Sequence, residues 1–216
     1  MKKAMLALLL LISVTEITNA QKGSYLLYGN VGFTSATDFY GETSNNYIIN
    51  PGIGYQMNDN WTVGLNVGLG GNRQELPQGT SNIPSGNYTV NTSFNIGPFI
   101  RRSYSISNIF SVYGQLEFNY LSGTYTPNNA PVNGVVGGSY NGFGTDIFPA
   151  LGINIKNGWA LNLDFGGLSY QTKTYKGAYY TLPPVSVTNS SNQFAVTFGQ
   201  SAVIGISKNF GGSNKN

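Results

Sequence analysis

The sequence contains no histidine and no cysteine among its 216 residues. Without imidazole or a thiol, the chain cannot build the Ser–His or Cys–His arrangements that activate many enzymatic nucleophiles. It also cannot form a disulfide, so the fold has to be stable without cross-links. A metal site would depend on carboxylates alone, and the eight acidic residues are widely spread. We therefore expect a non-enzymatic protein with no cofactor and no metal.

Charge and long apolar runs are scarce as well. Only 9% of the residues are charged, whereas a soluble surface carries about 25–35%. After residue 20, no apolar stretch approaches the roughly 20 residues that a membrane helix needs. In a bilayer, a closed β-barrel is then the structure that satisfies every backbone polar group. The net charge of +3 is thinly scattered, so we expect no nucleic-acid partner.

The N-terminal segment has the order of a secretory signal peptide. Lys2 and Lys3 precede an apolar run from Ala4 to Ile12, which is too short to anchor the chain in a bilayer. A polar stretch follows and ends with small residues at the two positions that a signal peptidase reads. We expect residues 1–20 to be a signal peptide and residues 21–216 to form one β-barrel domain in the bacterial outer membrane.

Strict alternation of apolar and small or polar residues is the dominant local pattern, and it is typical of strands. Between Trp61 and Leu69, one face carries Trp, Val and Leu, and the other carries Thr, Gly and Asn. The stretch from Trp159 to Phe165 alternates in the same way. Because the polar faces lack the Lys and Glu of a water-facing surface, they indicate the lumen of a narrow barrel, with the apolar faces turned to lipid.

Eight such segments predict an all-β, eight-stranded antiparallel transmembrane barrel with an up-and-down meander. Three of the connections are short, and the other four are long and rich in Gly, Ser, Asn, Pro and Thr, which is the topology of outer-membrane barrels. Both termini then lie on the short-turn, periplasmic side. The predicted strands are 24–35, 46–57, 61–71, 88–102, 109–121, 140–155, 159–170 and 193–210, and the long loops are 36–45, 72–87, 122–139 and 171–192.

The motif Pro-Gly-Ile-Gly-Tyr-Gln-Met-Asn-Asp-Asn-Trp-Thr-Val-Gly-Leu (51–65) resembles the outer-membrane β-barrel family that is widespread in Bacteroidetes. The segments 96–101 and 165–170 resemble it too. That family is similar in fold to the eight-stranded OmpX- and OmpA-type barrels. The alternating residues from Ala202 to Phe210 resemble the C-terminal signal that the barrel-assembly machinery recognises, although Lys208 occupies a usually apolar position and six residues follow Phe210. The resemblance implies a barrel rather than an activity.

Four ionisable residues are expected to point into the lumen: Arg101, Glu117, Asp146 and Asp164. A narrow eight-stranded barrel has little room beyond its side chains, and buried charges need partners. We therefore interpret the four as a stabilising charge network in an occluded lumen, with a polar gate or ion path as the alternative. Asp164 or Glu117 is the expected partner of Arg101. Tyr28, Phe99, Tyr113, Gln115 and Phe148 are expected to fill the remaining space.

Aromatic residues mark the expected membrane interfaces and one candidate contact surface. Trp61, Trp159 and Phe210 are predicted to lie at the interface, which Trp favours because one end of its side chain is apolar and the other donates a hydrogen bond. The fourth long loop carries Lys173, Tyr175, Lys176, Tyr179 and Tyr180, which suit contact with lipopolysaccharide phosphates or an external ligand. An ordinary outer aromatic girdle is the alternative interpretation of these residues.

The pattern favours a structural or surface-binding barrel. The expected partners are outer-membrane lipid and lipopolysaccharide, the barrel-assembly machinery through the C-terminal strand, and an extracellular ligand at the long loops. Two alternatives stay open: a small solute-specific channel or receptor, and a secreted lipocalin-like barrel that holds an apolar ligand. The lipocalin-like alternative needs an apolar interior and a charged exterior.

Overall fold

The computed structural model describes residues 22–39, 41–75, 88–128, 135–179, 185–199 and 203–211. No helix in this part of the chain is long and apolar enough to cross a membrane. The described residues form strands β1 (Tyr25–Thr37), β2 (Thr43–Gln56), β3 (Trp61–Glu75), β4 (Tyr88–Ser105), β5 (Phe110–Pro127), β6 (Val135–Asn154), β7 (Trp159–Asp164), β8 (Leu168–Tyr179), β9 (Val185–Val196) and β10 (Val203–Phe210).

The strands form an antiparallel meander that closes into a barrel. Each strand from β1 to β6 pairs with the next, β6 pairs with β7, β7 pairs with β10, and β10 pairs back with β1. Two of the eight barrel strands are interrupted. The first consists of β7 and β8, which pair with successive parts of β6, and the second consists of β9 and β10. The predicted all-β, eight-stranded barrel is therefore confirmed.

The closure between the first and last strands covers only part of β1. β10 pairs with β1 over Tyr25–Gly29, whereas β2 pairs with β1 over its whole length. β9 pairs with β8 alone. In the described residues, no hydrogen-bonded ladder thus joins the part of β1 beyond Gly29 to the edge of β9 that points away from β8. We call this gap between residues 30–37 and β9 the seam.

The two ends of the barrel differ in their connections. Residues 57–60, 106–109 and 155–158 make short turns at one end, which we call the short-turn end. Tyr25 pairs with Phe210 at this end, so β1 begins and β10 ends there, as the alternating loop lengths predicted. At the opposite, long-loop end, β3 ends at Glu75 and β4 begins at Tyr88; residues 76–87, 129–134 and 180–184 lie outside the described part of the chain.

The strands extend further toward the long-loop end than the sequence predicted. β3 ends at Glu75 rather than at residue 71, and β5 ends at Pro127 rather than at residue 121. Most of the predicted loop 171–192 is strand as well, since β8 and β9 pair in register from Leu168 to Tyr179. A backbone ladder that has left the lipid needs no apolar face, so the end of the apolar alternation does not mark the end of the strand.

The two faces of the strands follow the predicted alternation. On β3, Leu65 is 53% exposed on the outside, whereas its neighbour Asn66 is 6% exposed and Thr62 is 1% exposed inside the lumen. Leu27 and Ile53 are likewise outward and half exposed. An apolar exterior around a polar interior is the reverse of a soluble lipocalin-like barrel, so that alternative is wrong.

Three prolines in the interior of strands occupy positions where one neighbouring ladder is missing. Pro51 pairs with Gly29, but the β2–β3 ladder skips from Ile49 to Gly52. Pro98 pairs with Leu65, and the β4–β5 ladder skips it in the same way. Pro149 lies beyond the last β6–β7 pair. Because proline has no N–H to donate, each is accommodated by a locally unpaired position.

Candidate functional site in the barrel lumen

A layer of buried side chains crosses the lumen around Arg101. Arg101 is 4% exposed, and its Nε donates a hydrogen bond of 2.6 Å to Oε1 of Gln115, which is 1% exposed. The Nε2 atom of Gln115 donates to the hydroxyl of Tyr28 at 3.0 Å and also to Oε1 of Glu117. We call the set Tyr28, Phe99, Arg101, Tyr113 and Gln115 the central layer.

Aromatic rings enclose the guanidinium group of this layer. The Cζ atom of Arg101 lies 4.0 Å from the ring centroid of Tyr113, 4.6 Å from that of Tyr28 and 5.8 Å from that of Phe99. The rings of Tyr28 and Phe99 meet edge to face at 5.2 Å. Such stacking suits a guanidinium because it is planar and weakly hydrated. The cation is therefore stabilised mainly by ring faces and one amide oxygen.

The strand register explains why Gln115 is the partner of Arg101. The two residues lie directly opposite each other on β4 and β5, and opposite residues of an antiparallel pair share one face. In the described residues, no carboxylate lies within ion-pair distance of Arg101, and Gln115 connects it to Glu117 instead. The predicted direct pairing of Arg101 with Asp164 or Glu117 is thus replaced by an amide-bridged contact.

The three predicted acidic residues all face the lumen, on the long-loop side of the central layer. Glu117 lies directly opposite Asp146 across β5 and β6. Glu117 also accepts a hydrogen bond from Nδ2 of Asn119 at 3.2 Å. Asp164 is the last residue of β7 and accepts a hydrogen bond from the backbone N–H of Gly166 at 2.8 Å. No group of His, Cys, Asp or Glu in the described ranges is arranged to hold a metal ion.

Three of the cavities that the described residues form lie along the lumen. The central cavity, of about 400 Å³, is bordered by Arg101, Tyr28 and the three acidic residues. The outer cavity, of about 750 Å³, lies toward the long-loop end and is lined by Tyr140, Tyr175 and several glycines. A third cavity, of about 760 Å³, opens at the short-turn end. Arg101 and Tyr113 border both the central and the short-turn cavities, so the central layer lies between them.

Aromatic and basic side chains surround the barrel at the short-turn end. The Cζ atom of Arg102 lies 5.2 Å from the ring of Trp61, and Nζ of Lys208 lies 4.8 Å from the ring of Trp159 and 5.4 Å from that of Phe210. All three predicted interfacial aromatics therefore lie at this end. Lys208, which departs from the usual apolar pattern of a last strand, is accommodated because its ammonium group rests on two aromatic faces.

A second girdle of aromatic side chains surrounds the barrel nearer the long-loop end, and the sequence did not predict it. The stretch from one girdle to the other, counting both end residues, is nine residues long on β1 and on β2. It runs from Tyr25 to Phe33 on β1 and from Tyr47 to Tyr55 on β2. This spacing matches the roughly 9–11 residues of a membrane-spanning strand. We call this second girdle the outer girdle, and it can be recognised only once the register between the strands is known. It comprises Phe33, Tyr47, Phe94, Tyr120, Phe143, Tyr170 and Phe194.

Most of the residues of the predicted surface loop lie on strand β8, and they do not form one common surface. Lys173 and Tyr175 lie on β8 opposite Gly142 and Tyr140. The Nζ atom of Lys173 lies 5.1 Å from the ring of Tyr140, and the rings of Tyr140 and Tyr175 are 5.6 Å apart. Tyr175 therefore lines the outer cavity, and Lys173 lies on the same face of β8. Lys176 is exposed on β8, Tyr179 is the last residue of that strand, and Tyr180 lies outside the described residues.

A polar lumen, an apolar exterior and two aromatic girdles together define an outer-membrane β-barrel protein. The chain belongs to the family described as the outer membrane protein beta-barrel domain, whose model matches residues 4–201. No match to a curated protein was found.

Among solved structures, the chain is similar to outer-membrane proteins at low sequence identity. The chain is 14% identical to OprG from Pseudomonas aeruginosa, with 90% of this chain and 99% of that chain covered and a TM-score of 0.54. The translocator domain of the autotransporter NalP from Neisseria meningitidis is 14% identical, with 89% and 63% covered and a TM-score of 0.46. Ail from Yersinia pestis is 12% identical, with 88% and 99% covered and a TM-score of 0.36. At these identities the likeness concerns the fold alone.

Proposed function

We propose that this outer-membrane barrel is a non-enzymatic, non-conducting protein that binds a ligand at its long-loop end. The central layer is the observation that carries the proposal. Arg101, Gln115, Phe99 and Tyr113 are each less than a tenth exposed, and they interlock through hydrogen bonds and ring contacts. A solute that crossed the lumen would have to break these contacts.

The outer cavity supplies the place for binding. Its volume of about 750 Å³ falls within the range of small-molecule sites. Tyr140 and Tyr175 provide ring faces and hydroxyl groups, and glycines such as Gly32 and Gly138 keep the wall open. A concave site that ends on a packed floor favours binding over passage.

The export route and the partners are part of the same proposal. Residues 1–20 act as the signal peptide, and they lie outside the described residues. The last strand presents Ile204, Ile206 and Phe210 on its outer face to the barrel-assembly machinery. Lipopolysaccharide is the membrane partner at the long-loop end, where Lys176 offers an exposed ammonium group. The motif at residues 51–65 supports an origin in Bacteroidetes.

Planar-bilayer recording of the purified barrel tests the proposal. We expect no sustained single-channel openings from the unmodified protein. The double variant Tyr28→Ala/Tyr113→Ala, which removes two rings of the central layer, should show openings. The matched control Tyr25→Ala/Tyr55→Ala removes two lipid-facing rings that meet at 5.5 Å and should stay silent.

Stable openings from the unmodified protein after repurification would favour the alternative function, a small solute-specific channel. Heat-modifiability on gels verifies that each variant is folded before recording. A folded Tyr28→Ala/Tyr113→Ala variant that stays silent would show that the central layer is not the barrier.

A further inference from the structure

The central cavity carries more acidic groups than its surroundings neutralise. Glu117, Asp146 and Asp164 all border this space of about 400 Å³. Glu117 and Asp146 lie directly opposite each other on neighbouring strands, an arrangement in which two like charges repel. A barrel that served only to pack its lumen would gain stability from an apolar or amide residue at either position.

Arg101 does not offset these carboxyl groups directly. Its Nε hydrogen bond goes to Gln115, and its guanidinium plane lies among the rings of Tyr28 and Tyr113. Only Glu117 is linked to it, and the link passes through the Gln115 amide. Asp146 and Asp164 therefore contribute negative charge that no cation in the described residues pairs with.

Two buried amides beside the same cavity have hydrogen-bond acceptors that no group pairs with in the described residues. Asn66 is 6% exposed and Asn119 is 5% exposed, and both border the cavity. The Oδ1 atom of each has no hydrogen-bond partner in the described residues. Buried polar atoms are nearly always paired in native proteins. Both unpaired atoms are acceptors, so the missing group is a donor.

We infer that the central cavity is a binding site for a small organic cation with several N–H donors, such as a diamine. An ammonium group at this site has Glu117 and Asp146 as its counter-charges, and Asp164 is the counter-charge of a second positive group. Rotation of the Asn66 and Asn119 side chains turns their oxygens to the bound donors. Charge complementarity and donor number together select an amine over a neutral or acidic solute of equal size.

The outer cavity provides a route that suits a cation. Tyr140 and Tyr175 line it, and the centroids of their rings are 5.6 Å apart. Aromatic faces attract cations through the ring quadrupole. A diamine entering from the long-loop end thus passes ring faces before it reaches the carboxyl groups, and the central layer stops it there. This inference rests on the proposed function because the central layer has to close the lumen below the amine site, which is distinct from the outer cavity.

Isothermal titration of the folded barrel in a non-ionic detergent with putrescine tests the site. The unmodified protein should bind putrescine and should not bind 1,4-butanediol or succinate, which match its length without its charge. The double variant Glu117→Gln/Asp146→Asn should bind at least about tenfold more weakly. The matched control Asp59→Asn removes an exposed carboxylate at the short-turn end, on the far side of the central layer, and should bind as the unmodified protein does.

Heat-modifiability verifies that each variant is folded. Asp164→Asn, which leaves the Glu117–Asp146 pair intact, serves as an independent second variant and should also weaken putrescine binding. The site is refuted if the unmodified protein does not bind putrescine, or if the folded cavity variants bind it unchanged. If the unmodified barrel shows no channel openings and does not bind putrescine, the amine site alone is refuted. Sustained channel openings refute the proposed function whatever the titration shows.

Discussion

Nε of Arg101 donates to Oε1 of Gln115 at 2.6 Å, with both side chains almost fully buried in the middle of the lumen. A hydrogen bond to a charged group contributes about 1.5–3 kcal/mol when it is made. Arg101 is held by this amide and by aromatic rings rather than by a carboxylate. Its position therefore depends on a neutral partner that the strand register supplies.

The first prediction concerns this pair. Gln115→Leu should lower the free energy of unfolding by about 2–3 kcal/mol, because the buried guanidinium loses its acceptor. Arg101→Met should lower it by a similar amount. The double variant should lose clearly less than the sum, since neither partner is then left unpaired. Urea unfolding in lipid vesicles measures the cycle, and strictly additive losses would mean that the two side chains are not energetically coupled.

The second prediction tests the membrane boundaries that the two aromatic girdles define. Leu65 faces lipid on β3 between the girdles, so Leu65→Arg should cost about 2–4 kcal/mol in the same unfolding assay. Ser35 also faces outward, but it lies two residues beyond Phe33 of the outer girdle. Ser35→Arg should therefore be nearly neutral, because its guanidinium reaches water. Equal costs at the two positions would contradict the placement of the outer girdle.

The third prediction compares two glycines in neighbouring strands. A Cβ atom on Gly97 would clash with the backbone oxygen of Phe118, whereas one on Gly114 would meet nothing within 4 Å. Gly97→Ala should destabilise the barrel by about 1–3 kcal/mol, as overpacking does. Gly114→Ala should be close to neutral. The denaturation midpoints of the two variants decide the matter, and an unchanged Gly97→Ala midpoint would disprove the close approach of β4 to β5.

The fourth prediction concerns the seam. β1 has β2 on one side over its whole length, but β10 reaches only to Gly29 on the other. The alternate backbone amides between Val31 and Thr37 that point away from β2 should exchange rapidly with deuterium. Those pointing toward β2 should be protected, as should the amides of β2 between Ile48 and Tyr55.

Residue-resolved hydrogen exchange by NMR in nanodiscs measures this pattern. Unpaired backbone groups are tolerated at membrane depth only where they line a water-filled space, and the central cavity, which Asn30, Thr197 and Gly205 line, borders the seam. Uniform protection along β1, equal to that of β2, would show that β9 pairs with β1 and that the seam is closed in a bilayer.

Which residues face lipid and which face the lumen is determined by the sequence alone. In a strand, successive side chains point to opposite faces, and lipid accepts Leu65 but not Asn66. The same pattern predicted Arg101, Glu117, Asp146 and Asp164 on the lumen face, and the aromatic side chains of Trp61, Trp159 and Phe210 were predicted at the interface. The lengths of the connections then predicted the meander and the position of both ends of the barrel.

Which side chains lie opposite each other, and how long each strand is, were decided only by the tertiary structure. Alternation assigns a face but not a height, so it could not show that Arg101 lies opposite Gln115 or that Asp146 lies opposite Glu117. It also could not follow β8 and β9 beyond the lipid, where hydrogen bonding continues without an apolar face and brings Lys173 over Tyr140. The seam depends on where β9 ends and β10 begins relative to β1. Each of these features depends on the register between strands distant in the chain, which no local pattern encodes.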